Sequence, residues 1–375
     1  MIFDIVAKDK KSKARTGILK TKSGEIETPF FMPVATKTAV KYIDSSDLDL
    51  MNARATISNA FVLSMRPGVD IVKKMGGIAK FMSRDAITFT DSGGFQMYSP
   101  SLYLGSKENG VNFRNPFSGE KLFVTPEDDM KIQLGLGSDV AMCLDTMPLI
   151  EESKKSVEEA VRKTALWAAR CKKEHEKLQK KIAKDKRQIL FGIIQGGIHA
   201  DLRKKSARDL VKLDFEGYSI GGLAVGEEKE DEYKMIKIAK AEIQEGKPVY
   251  LMGAGNPPEL LEAISLGVDM FDSRFPTQNA RRGTIFTRSG FLRVTNSEFK
   301  VDKKPLDLEC ECFVCKRYSR SYLRHLLKME EGAGLRLVSF HNLYFLQWLM
   351  KESREQIKKG TFSKFKKEMQ KKFER

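Results

Sequence analysis

Residues 266–283, Leu-Gly-Val-Asp-Met-Phe-Asp-Ser-Arg-Phe-Pro-Thr-Gln-Asn-Ala-Arg-Arg-Gly, contain a short apolar run that ends at an acid. The run, 268–271, has the length and composition of a buried strand. Asp272 follows it directly, and then come a proline, several turn-forming residues and the adjacent Arg281 and Arg282. A carboxylate at the end of a buried strand, facing a basic loop, is suited to hold a nucleophile beside a phosphate-bearing substrate. Aspartate is also a favoured helix cap, so on this stretch alone capping is an equally good interpretation.

Seven more apolar segments of strand length come before this one, and helical patterns separate them. The other candidate strands lie at residues 30–34, 55–58, 87–90, 140–144, 189–194, 218–220 and 249–252. The helical patterns lie at residues 44–51, 151–186, 202–211, 230–245 and 258–266. Eight strands that alternate with helices predict a (β/α)8 barrel, or TIM barrel, and we expect residues 1–375 to form it as a single domain. A doubly wound sheet is the alternative, but its Gly-rich dinucleotide turn should follow the first strand, where Ala-Thr-Lys-Thr stands instead.

Three other segments carry predictions of their own. Residues 99–126 are rich in glycine and poor in strand patterns, which predicts a long loop or a small hairpin over the mouth of the barrel. Trp167 has apolar neighbours on a long charged helix, so we expect it to pack in the core rather than to stack on a base. Residues 353–375 have the pattern of a basic amphipathic helix.

The composition suits a polyanionic partner. The 375-residue chain is 41% hydrophobic, which is enough for a full core, and its 66 Lys and Arg against 50 Asp and Glu give a net charge of +16. This charge favours a nucleic acid as the partner, although a basic surface that only aids solubility is the alternative. No segment approaches the roughly 18 apolar residues of a membrane span, and the first residues lack a signal-peptide pattern. We therefore expect a cytoplasmic protein with no membrane partner.

Polar or glycine-rich groups follow six of the eight predicted strands. In chain order they are Asp91-Ser-Gly-Gly-Phe-Gln, Asp145, Gln195-Gly-Gly, Gly221-Gly-Leu-Ala-Val-Gly-Glu, Gly253-Ala-Gly and Asp272. In a barrel these strand ends lie on one face, where active sites are built. Each group by itself is more simply explained as a helix cap or a turn. Six of them on the same face favour a binding site.

The residue types at these strand ends fit guanine. Asp145 can accept hydrogen bonds from the N1–H and 2-amino donors of the base, while the Gln195 amide and a backbone N–H near Gly222 can donate to O6. Phe95 can stack on the flat ring. The two remaining acids are then available for covalent and proton-transfer roles, as in a retaining glycosidase, where one carboxylate attacks the anomeric carbon.

Three cysteines and one histidine have the spacing of a zinc site. Cys310, Cys312 and Cys315 are followed by His341 after 25 intervening residues. Three thiolates and one imidazole complete a tetrahedral shell around Zn²⁺ and leave no position for water, so the pattern predicts a structural rather than a catalytic zinc. Reactive surface thiols are the alternative.

Together these motifs resemble those of the tRNA-guanine transglycosylases, and most closely the bacterial, queuine-pathway type. The resemblance also rests on Leu251-Met-Gly, Met270-Phe-Asp and Pro276-Thr, and the motifs follow the family's order over essentially the whole chain. It implies a (β/α)8 barrel with a zinc-binding subdomain, here residues 300–345, inserted before the last helix. It also implies an exchange, without ATP, of guanine at the tRNA wobble position (34) for a 7-deazaguanine, as in queuosine biosynthesis.

The resemblance implies roles for individual residues as well. Asp272 would be the nucleophile that attacks C1′ of the ribose and forms a covalent intermediate, and Asp91 would be the general acid and base. The residues that would bind the base are Asp91, Ser92, Phe95, Asp145, Gln195, Gly222 and Leu223. Those that would bind the RNA are Arg281, Arg282 and Gln278. Those that would bind one structural Zn²⁺ per chain are Cys310, Cys312, Cys315 and His341.

The chain departs from the family at some of these positions. Gln278 stands where the family has an arginine, which removes a cationic contact with tRNA, while Arg282 adds a cation nearby. Thr146 and Met147 replace an acid and a cysteine that usually follow the base-binding aspartate. Val225 matches the bacterial type, which takes the small base 7-aminomethyl-7-deazaguanine (preQ1).

The implied partners are a tRNA whose anticodon begins with guanine (the aspartate, asparagine, histidine and tyrosine types), a 7-deazaguanine base, and a second copy of the chain in a homodimer. One alternative is the same chemistry with queuine, with the archaeosine precursor or on DNA. A non-catalytic tRNA-binding subunit and an ordinary barrel glycosidase are two others. The basic charge argues against the glycosidase, because it indicates a polyanionic partner.

Overall fold

The computed structural model describes residues 2–93, 101–147 and 152–374, which form strands and helices in alternation over most of their length. The strands are β1 (Phe3–Lys8), β2 (Arg15–Thr21), β3 (Gly24–Thr28), β4 (Phe30–Pro33), β5 (Ala55–Asn59), β6 (Ile87–Asp91), β7 (Tyr103–Lys107), β8 (Gly110–Arg114), β9 (Lys121–Val124), β10 (Val140–Met142), β11 (Ile189–Ile194), β12 (Gly217–Ile220), β13 (Val249–Leu251), β14 (Met270–Ser273), β15 (Thr284–Thr287) and β16 (Gly290–Arg293). The α-helices are α1 (Ser45–Leu50), α2 (Ala60–Leu63), α3 (Val69–Lys74), α4 (Ile78–Phe81), α5 (Pro126–Leu136), α6 (Lys154–Gln179), α7 (Ala200–Val211), α8 (Lys229–Glu242), α9 (Pro257–Ser265), α10 (Phe275–Arg281), α11 (Phe313–Arg317), α12 (Arg320–Lys328), α13 (Gly332–Lys358) and α14 (Phe362–Phe373).

Eight of the strands form a closed parallel barrel. Their order is β4-β14-β13-β12-β11-β10-β6-β5, and a parallel bridge between Val34 and Ile57 joins the two ends of this sheet. The Ala35 N–H donates to the Ile57 carbonyl at 2.7 Å. Each of the eight predicted strand segments overlaps one of these strands, so the prediction of a (β/α)8 barrel is confirmed.

Side-chain alternation along the barrel strands explains why polar groups collect at one end. Phe89, Ile193 and Met270 belong to the apolar cluster that fills the interior, and none is more than 1% exposed. Successive side chains of a strand point to opposite faces, so the residue two positions later again faces the interior. Two positions beyond these three residues stand Asp91, Gln195 and Asp272. The apolar interior is therefore followed by a polar layer at the carboxyl ends of the strands.

An antiparallel sheet of β1, β2 and β3, which the sequence analysis did not predict, closes the other end of the barrel. Its side chains Phe3, Leu19 and Ile26 pack in the same interior cluster as the barrel strands. A buried ion pair joins the two parts, because Arg15 Nε and Nη2 donate to the Asp269 carboxylate at 2.9 and 2.6 Å. Both ions are hydrogen-bonded further, which offsets the cost of removing them from water.

The predicted loop or hairpin at residues 99–126 contains a three-stranded antiparallel sheet, β7-β8-β9. It lies against α6, where the Trp167 indole N–H donates to the Glu108 carbonyl at 2.7 Å. Trp167 is fully buried, as expected for a packing residue. Glu108 also pairs with Arg162 of the same helix, so both its backbone and its side chain fix the sheet to α6.

The C-terminal region consists of the β15–β16 hairpin and helices α11 to α14. The prediction of one helix over residues 353–375 was wrong, because α13 ends at Lys358 and Gly360, with a φ of 70°, precedes α14. This left-handed conformation favours glycine and interrupts the helix. In the described part of the chain, no helix has the length and apolar character needed to cross a membrane.

Asn342 of α13 connects this region to the segment that follows β14. Its amide group donates to the carbonyls of Pro276 and Thr284, each at 3.0 Å, and its Oδ1 accepts from the Phe286 N–H at 3.0 Å. The side chain is fully buried. One residue of α13 therefore fixes both α10 and β15, on either side of the turn between them.

Candidate active site

A cavity of about 730 Å³ opens at the carboxyl ends of the barrel strands. The predicted site residues that line it are Asp91, Ser92, Asp145, Gln195, Gly222, Leu223, Asp272 and Gln278. They come from β6, β14 and the segments that follow β6, β10, β11, β12 and β14, so the fold brings together residues almost 200 positions apart. The predicted Phe95 lies outside the described residues.

Asp272 is held near the end of β14 through one of its two oxygens. Its Oδ1 accepts hydrogen bonds from the Tyr250 hydroxyl and from the Gly253 N–H, the latter at 3.0 Å. Neither bond involves Oδ2. Burial raises the pKa of the Asp272 carboxyl, while these two donors and the charge of Arg274 act in the opposite direction. Asp272 does not cap the next helix, because α10 begins after Arg274 without a side-chain cap.

Asp91 is the last residue of β6 and lines the same cavity as Asp272. The Gly93 N–H donates to its Oδ1 at 2.8 Å, and the side chain of Asn59, its partner in the sheet, also hydrogen bonds to it. Burial, and secondly the nearby Asp272 carboxylate, raise the pKa of Asp91 to about 7. A carboxyl group with this pKa can both give and take a proton near neutral pH.

Asp145 and Gln195 form a second polar group in the cavity. The Gln195 amide donates to Asp145 Oδ2 at 2.6 Å, and the Ser92 hydroxyl lies 3.4 Å from Oδ1. Burial raises the pKa of Asp145 to about 6, although both of these donors oppose the shift. A Cβ atom at Gly222 would lie only 2.5 Å from Gln195 Oε1, so glycine is needed for the β12 turn to approach the amide. The cavity therefore contains the Asp145 carboxylate, the Gln195 amide and the backbone at Gly222 next to one another.

Several residues of the site were missed by the sequence analysis, among them Tyr250, Glu227 and Arg203. Tyr250 lies inside a predicted strand and shows no pattern of its own, yet its hydroxyl contacts Asp272. Glu227 ends the quoted glycine-rich motif, which could have drawn attention to it. Its carboxylate accepts from the N–H groups of residues 224–226 and so fixes the loop after β12. Arg203 appears as an ordinary cation of a helical pattern.

Arg203 is fully buried, and its three hydrogen bonds to residues that the structure describes all go to backbone carbonyls. Its Nη1 donates to the carbonyls of Ile194 and Gly221, and its Nη2 to that of Gly197, each at 2.8 Å. Burial lowers its pKa to about 9, although Glu227 opposes the shift. Arg203 thus joins the end of β11 to the end of β12, the two segments that carry the amide and the glycine-rich turn.

The predicted RNA-binding residues lie on or directly after a helix, α10, where the sequence analysis expected a loop. Gln278 is exposed and lines the cavity. Arg281 is half-buried, with its guanidinium 5.8 Å from the centre of the Tyr42 ring, and Arg282 is exposed. All three stay close to Asp272 along the chain, but Gln278 alone among them lines the cavity.

The predicted metal ligands form a compact cluster away from the cavity. The ligand atoms of Cys310, Cys312, Cys315 and His341 all lie within 4.8 Å of one another. His341 Nδ1 is 3.3 to 3.8 Å from the three sulfurs, and its Nε2 lies 2.8 Å from the Phe286 carbonyl. A donor at Nε2 leaves Nδ1 free for a metal, so the cluster has the composition and arrangement to hold one ion.

A closed (β/α)8 barrel with three carboxyl groups in the cavity at its carboxyl end belongs to the class of barrel enzymes, in which that end carries the chemistry. The family model described as queuine tRNA-ribosyltransferase matches residues 9–375. The chain belongs to this family, and the predicted family relationship is confirmed.

Bacterial relatives of this name match nearly the whole chain. The protein from Fusobacterium nucleatum is 45% identical over 98% of this chain and 97% of its own length. The protein from Thermoanaerobacter sp. (strain X514) is 45% identical over 99% of this chain and 97% of its own length. The protein from Bacillus subtilis (strain 168) is 43% identical over 98% and 94%, respectively.

Proposed function

We propose that this tRNA-guanine transglycosylase of queuosine biosynthesis exchanges guanine at tRNA position 34 for preQ1, by way of a covalent ribosyl–Asp272 intermediate. Membership of the queuine tRNA-ribosyltransferase family supports the reaction class. The observation that carries the site is that Asp91, Asp145 and Asp272 line one cavity of about 730 Å³, which has room for a purine nucleoside.

The two halves of the reaction need one nucleophile and one proton carrier. Oδ2 of Asp272 forms a bond to C1′ while the C1′–N9 bond breaks, and its electron pair leaves with guanine. Asp91, with a pKa of about 7, supplies the proton that guanine takes up. The incoming base then returns a proton to Asp91 as its N9 attacks C1′, and the Asp272 carboxylate is released. The number of glycosidic bonds is unchanged, so no ATP is required.

The proposed base pocket follows the residues around Asp145. Its carboxylate accepts from N1–H and the 2-amino group, and the Gln195 amide and the backbone of Gly222 and Leu223 bind the O6 edge. Guanine and the 7-deazaguanines share these edges, so both can occupy the pocket in turn. Ser92, which is close to Asp145 Oδ1, orients the carboxylate. Phe95 is proposed to stack on the base.

The proposed base preference depends on Val225. This residue lines the cavity and is 41% exposed, and we propose that its side chain limits the space beside the base. We therefore expect the small aminomethyl group of preQ1 to be accepted more readily than the larger substituent of queuine, which remains the alternative.

Further parts of the proposal concern partners. Arg281, Arg282 and Gln278 contact the anticodon loop of tRNAs of the aspartate, asparagine, histidine and tyrosine types. The Cys₃His cluster binds Zn²⁺, which stabilises a subdomain of residues 300–345 in a single barrel domain of residues 1–375. The enzyme acts as a homodimer in the cytoplasm, where these tRNAs occur.

The test is incorporation of radiolabelled guanine into tRNA transcripts, in competition with preQ1, queuine and the archaeosine precursor. We expect preQ1 to compete most strongly. A chain that binds tRNA without exchange would be a non-catalytic subunit instead, and sugar cleavage independent of guanine would indicate a glycosidase.

The nucleophile is tested with Asp272→Asn, which preserves the size of the side chain. We expect this variant to bind tRNA, to form no covalent adduct that survives denaturing electrophoresis, and to exchange guanine roughly a thousandfold more slowly or worse. An adduct that persists in this variant contradicts the assignment.

A further inference from the structure

Two cations line the cavity, and they differ in their surroundings. Lys229 lies 2.9 Å from Glu232 and 3.0 Å from Glu259, so its charge is compensated by two carboxylates. Arg274 is exposed and forms no ion pair with any of the residues that the structure describes. Arg274 is therefore the cation on the described part of the cavity wall that is available to an anionic group.

The position of Arg274 relates it to Gln278. Arg274 directly precedes α10, and the Gln278 N–H donates to the Arg274 carbonyl at 2.9 Å, which places the two residues one helical turn apart. Residues four positions apart lie on the same face of a helix, and both side chains line the cavity. Gln278 stands where tRNA-guanine transglycosylases have an arginine.

The two other arginines near Gln278, Arg281 and Arg282, do not line the cavity. Arg281 is half-buried, and its guanidinium lies over the Tyr42 ring instead of on the cavity wall. Arg282 is exposed but is not part of the wall either. A cation next to the reacting sugar can therefore come from Arg274.

We propose that Arg274 binds a phosphate that flanks the exchanged nucleotide, and so replaces the cation that Gln278 does not supply. The inference rests on the proposed function. Arg274 lies two residues after Asp272, whose target is C1′ of a ribose with phosphates on its 5′ and 3′ oxygens. A planar guanidinium donates two parallel hydrogen bonds to phosphate oxygens, which fixes the orientation of the sugar as well as its position.

The positive charge of Arg274 also acts on Asp272, which agrees with a place for Arg274 beside the reacting sugar. Burial raises the pKa of Asp272, and Arg274 is one of the groups that counteract the shift. The guanidinium therefore favours the ionised, nucleophilic carboxylate before tRNA arrives.

The experiment compares Arg274→Gln, Gln278→Arg and the double variant with the wild type. Guanine exchange is measured against the concentration of a tRNA transcript at several salt concentrations, and equilibrium tRNA binding is measured in parallel. Lys212→Gln is the control, because Lys212 is an exposed cation just after the end of α7, at the opposite end of the barrel.

We expect Arg274→Gln to raise the KM for tRNA about tenfold at low salt and to reduce the slope of log affinity against log salt by roughly one. The KM for guanine should not change. Gln278→Arg should restore tRNA affinity in the Arg274→Gln background, since it places a guanidinium on the same face. The control should leave all these quantities close to those of the wild type.

An Arg274→Gln variant with wild-type tRNA affinity and salt slope overturns the inference. So does a loss of tRNA affinity that is accompanied by a lower melting temperature and is not restored by Gln278→Arg, because that result shows a structural role. If the wild type does not exchange guanine at all, the proposed function fails, and the binding measurements still decide whether Arg274 contacts the RNA.

Discussion

Tyr250 stabilises the ionised form of the Asp272 carboxylate and so opposes the effect of burial. The tyrosine is fully buried, and its hydroxyl donates to the same oxygen that accepts from Gly253. This bond favours the ionised carboxylate, which is the form that can attack a sugar. The other oxygen is left to react.

Replacing Tyr250 by phenylalanine removes this donor without changing the packing of the ring. The pKa of Asp272 should rise, so activity should be lost at a higher pH as the solution is acidified. We expect exchange at neutral pH to fall roughly tenfold, in line with the loss of one hydrogen bond to a charged group. The pH profile of kcat/KM measures this, and an unchanged acidic limb would contradict the role of Tyr250.

Asp91 is expected to weaken the folded state at neutral pH. Its folded pKa of about 7 lies above the ordinary value of 3.8, so the folded protein binds the proton more tightly than the unfolded chain does. The contribution of Asp91 to stability is therefore lost as the pH rises from about 4 to about 7.

Asp91→Asn removes this titration. We expect the variant to melt at a higher temperature than the wild type at pH 8 and at nearly the same temperature at pH 4, while exchange activity is abolished or severely reduced. Thermal melts at both pH values test the expectation. A difference in melting temperature that does not depend on pH would show that Asp91 does not titrate in this range.

At the scale of elements, the site depends on how the ends of β11 and β12 are joined. Arg203 of α7 donates to three carbonyls in these two segments. Gly196 allows this contact, because a Cβ atom there would lie 2.5 Å from the backbone nitrogen of Arg203. Helix α7 and the turn after β11 are therefore packed backbone to backbone.

Arg203→Lys keeps the charge, but a single ammonium group cannot reach all three carbonyls in the same geometry. We expect the KM for the free base to rise several-fold, with a smaller change in the KM for tRNA. Arg208→Lys, an exposed position on the same helix, serves as the matched control. Equal changes in both KM values would indicate a general loss of structure instead.

The sequence analysis placed Asp91, Asp145 and Asp272 directly after predicted strands, and the structure brings all three to one cavity. Asp91 and Asp272 continue the alternation of strands whose earlier residues are apolar, and this pattern can be read without a structure. The contacts of Arg203 and Tyr250 cannot be read in this way. They join segments distant in sequence through backbone groups and a single hydroxyl, which leave no spacing pattern.

The helix after Asp272 was missed for a local reason. Pro276 and the polar residues around it were interpreted as turn formers, but proline is also favoured in the first turn of a helix. The N-terminal sheet was missed as well, although its residues Phe3, Leu19 and Ile26 complete the interior of the barrel. Its three strands follow one another without intervening helices, so they are not part of the alternation of strands and helices that identified the barrel strands.

At the scale of the whole molecule, the cysteine cluster and the reaction site are connected by α13. His341 belongs to the cluster, and the next residue, Asn342, holds the carbonyls of Pro276 and Thr284. Pro276 is part of the helix that follows Asp272. Loss of the proposed metal ion should therefore loosen the support behind Asp272, the proposed nucleophile.

We expect chelation of the proposed Zn²⁺ to lower the melting temperature by roughly 5 °C or more and to reduce guanine exchange. Added Zn²⁺ should reverse both effects. A Cys312→Ser variant should resemble the chelated wild type and should respond little to the chelator or to Zn²⁺. Full activity of a metal-free, fully folded protein would show that the cluster does not support the site.

The pairing of β4 with β14 has a consequence for how the chain is made. Strand β4 is synthesised early, but its partner β14 lies about 240 positions later in the chain. Helix α13 is synthesised later still, and its Gln347 side chain donates to the Phe31 carbonyl of β4 at 3.1 Å. Until the ribosome has completed most of the polypeptide, the nascent sheet has two open edges that can pair with other chains. Premature termination within the cysteine-rich region would leave such a chain without the helix that covers β4.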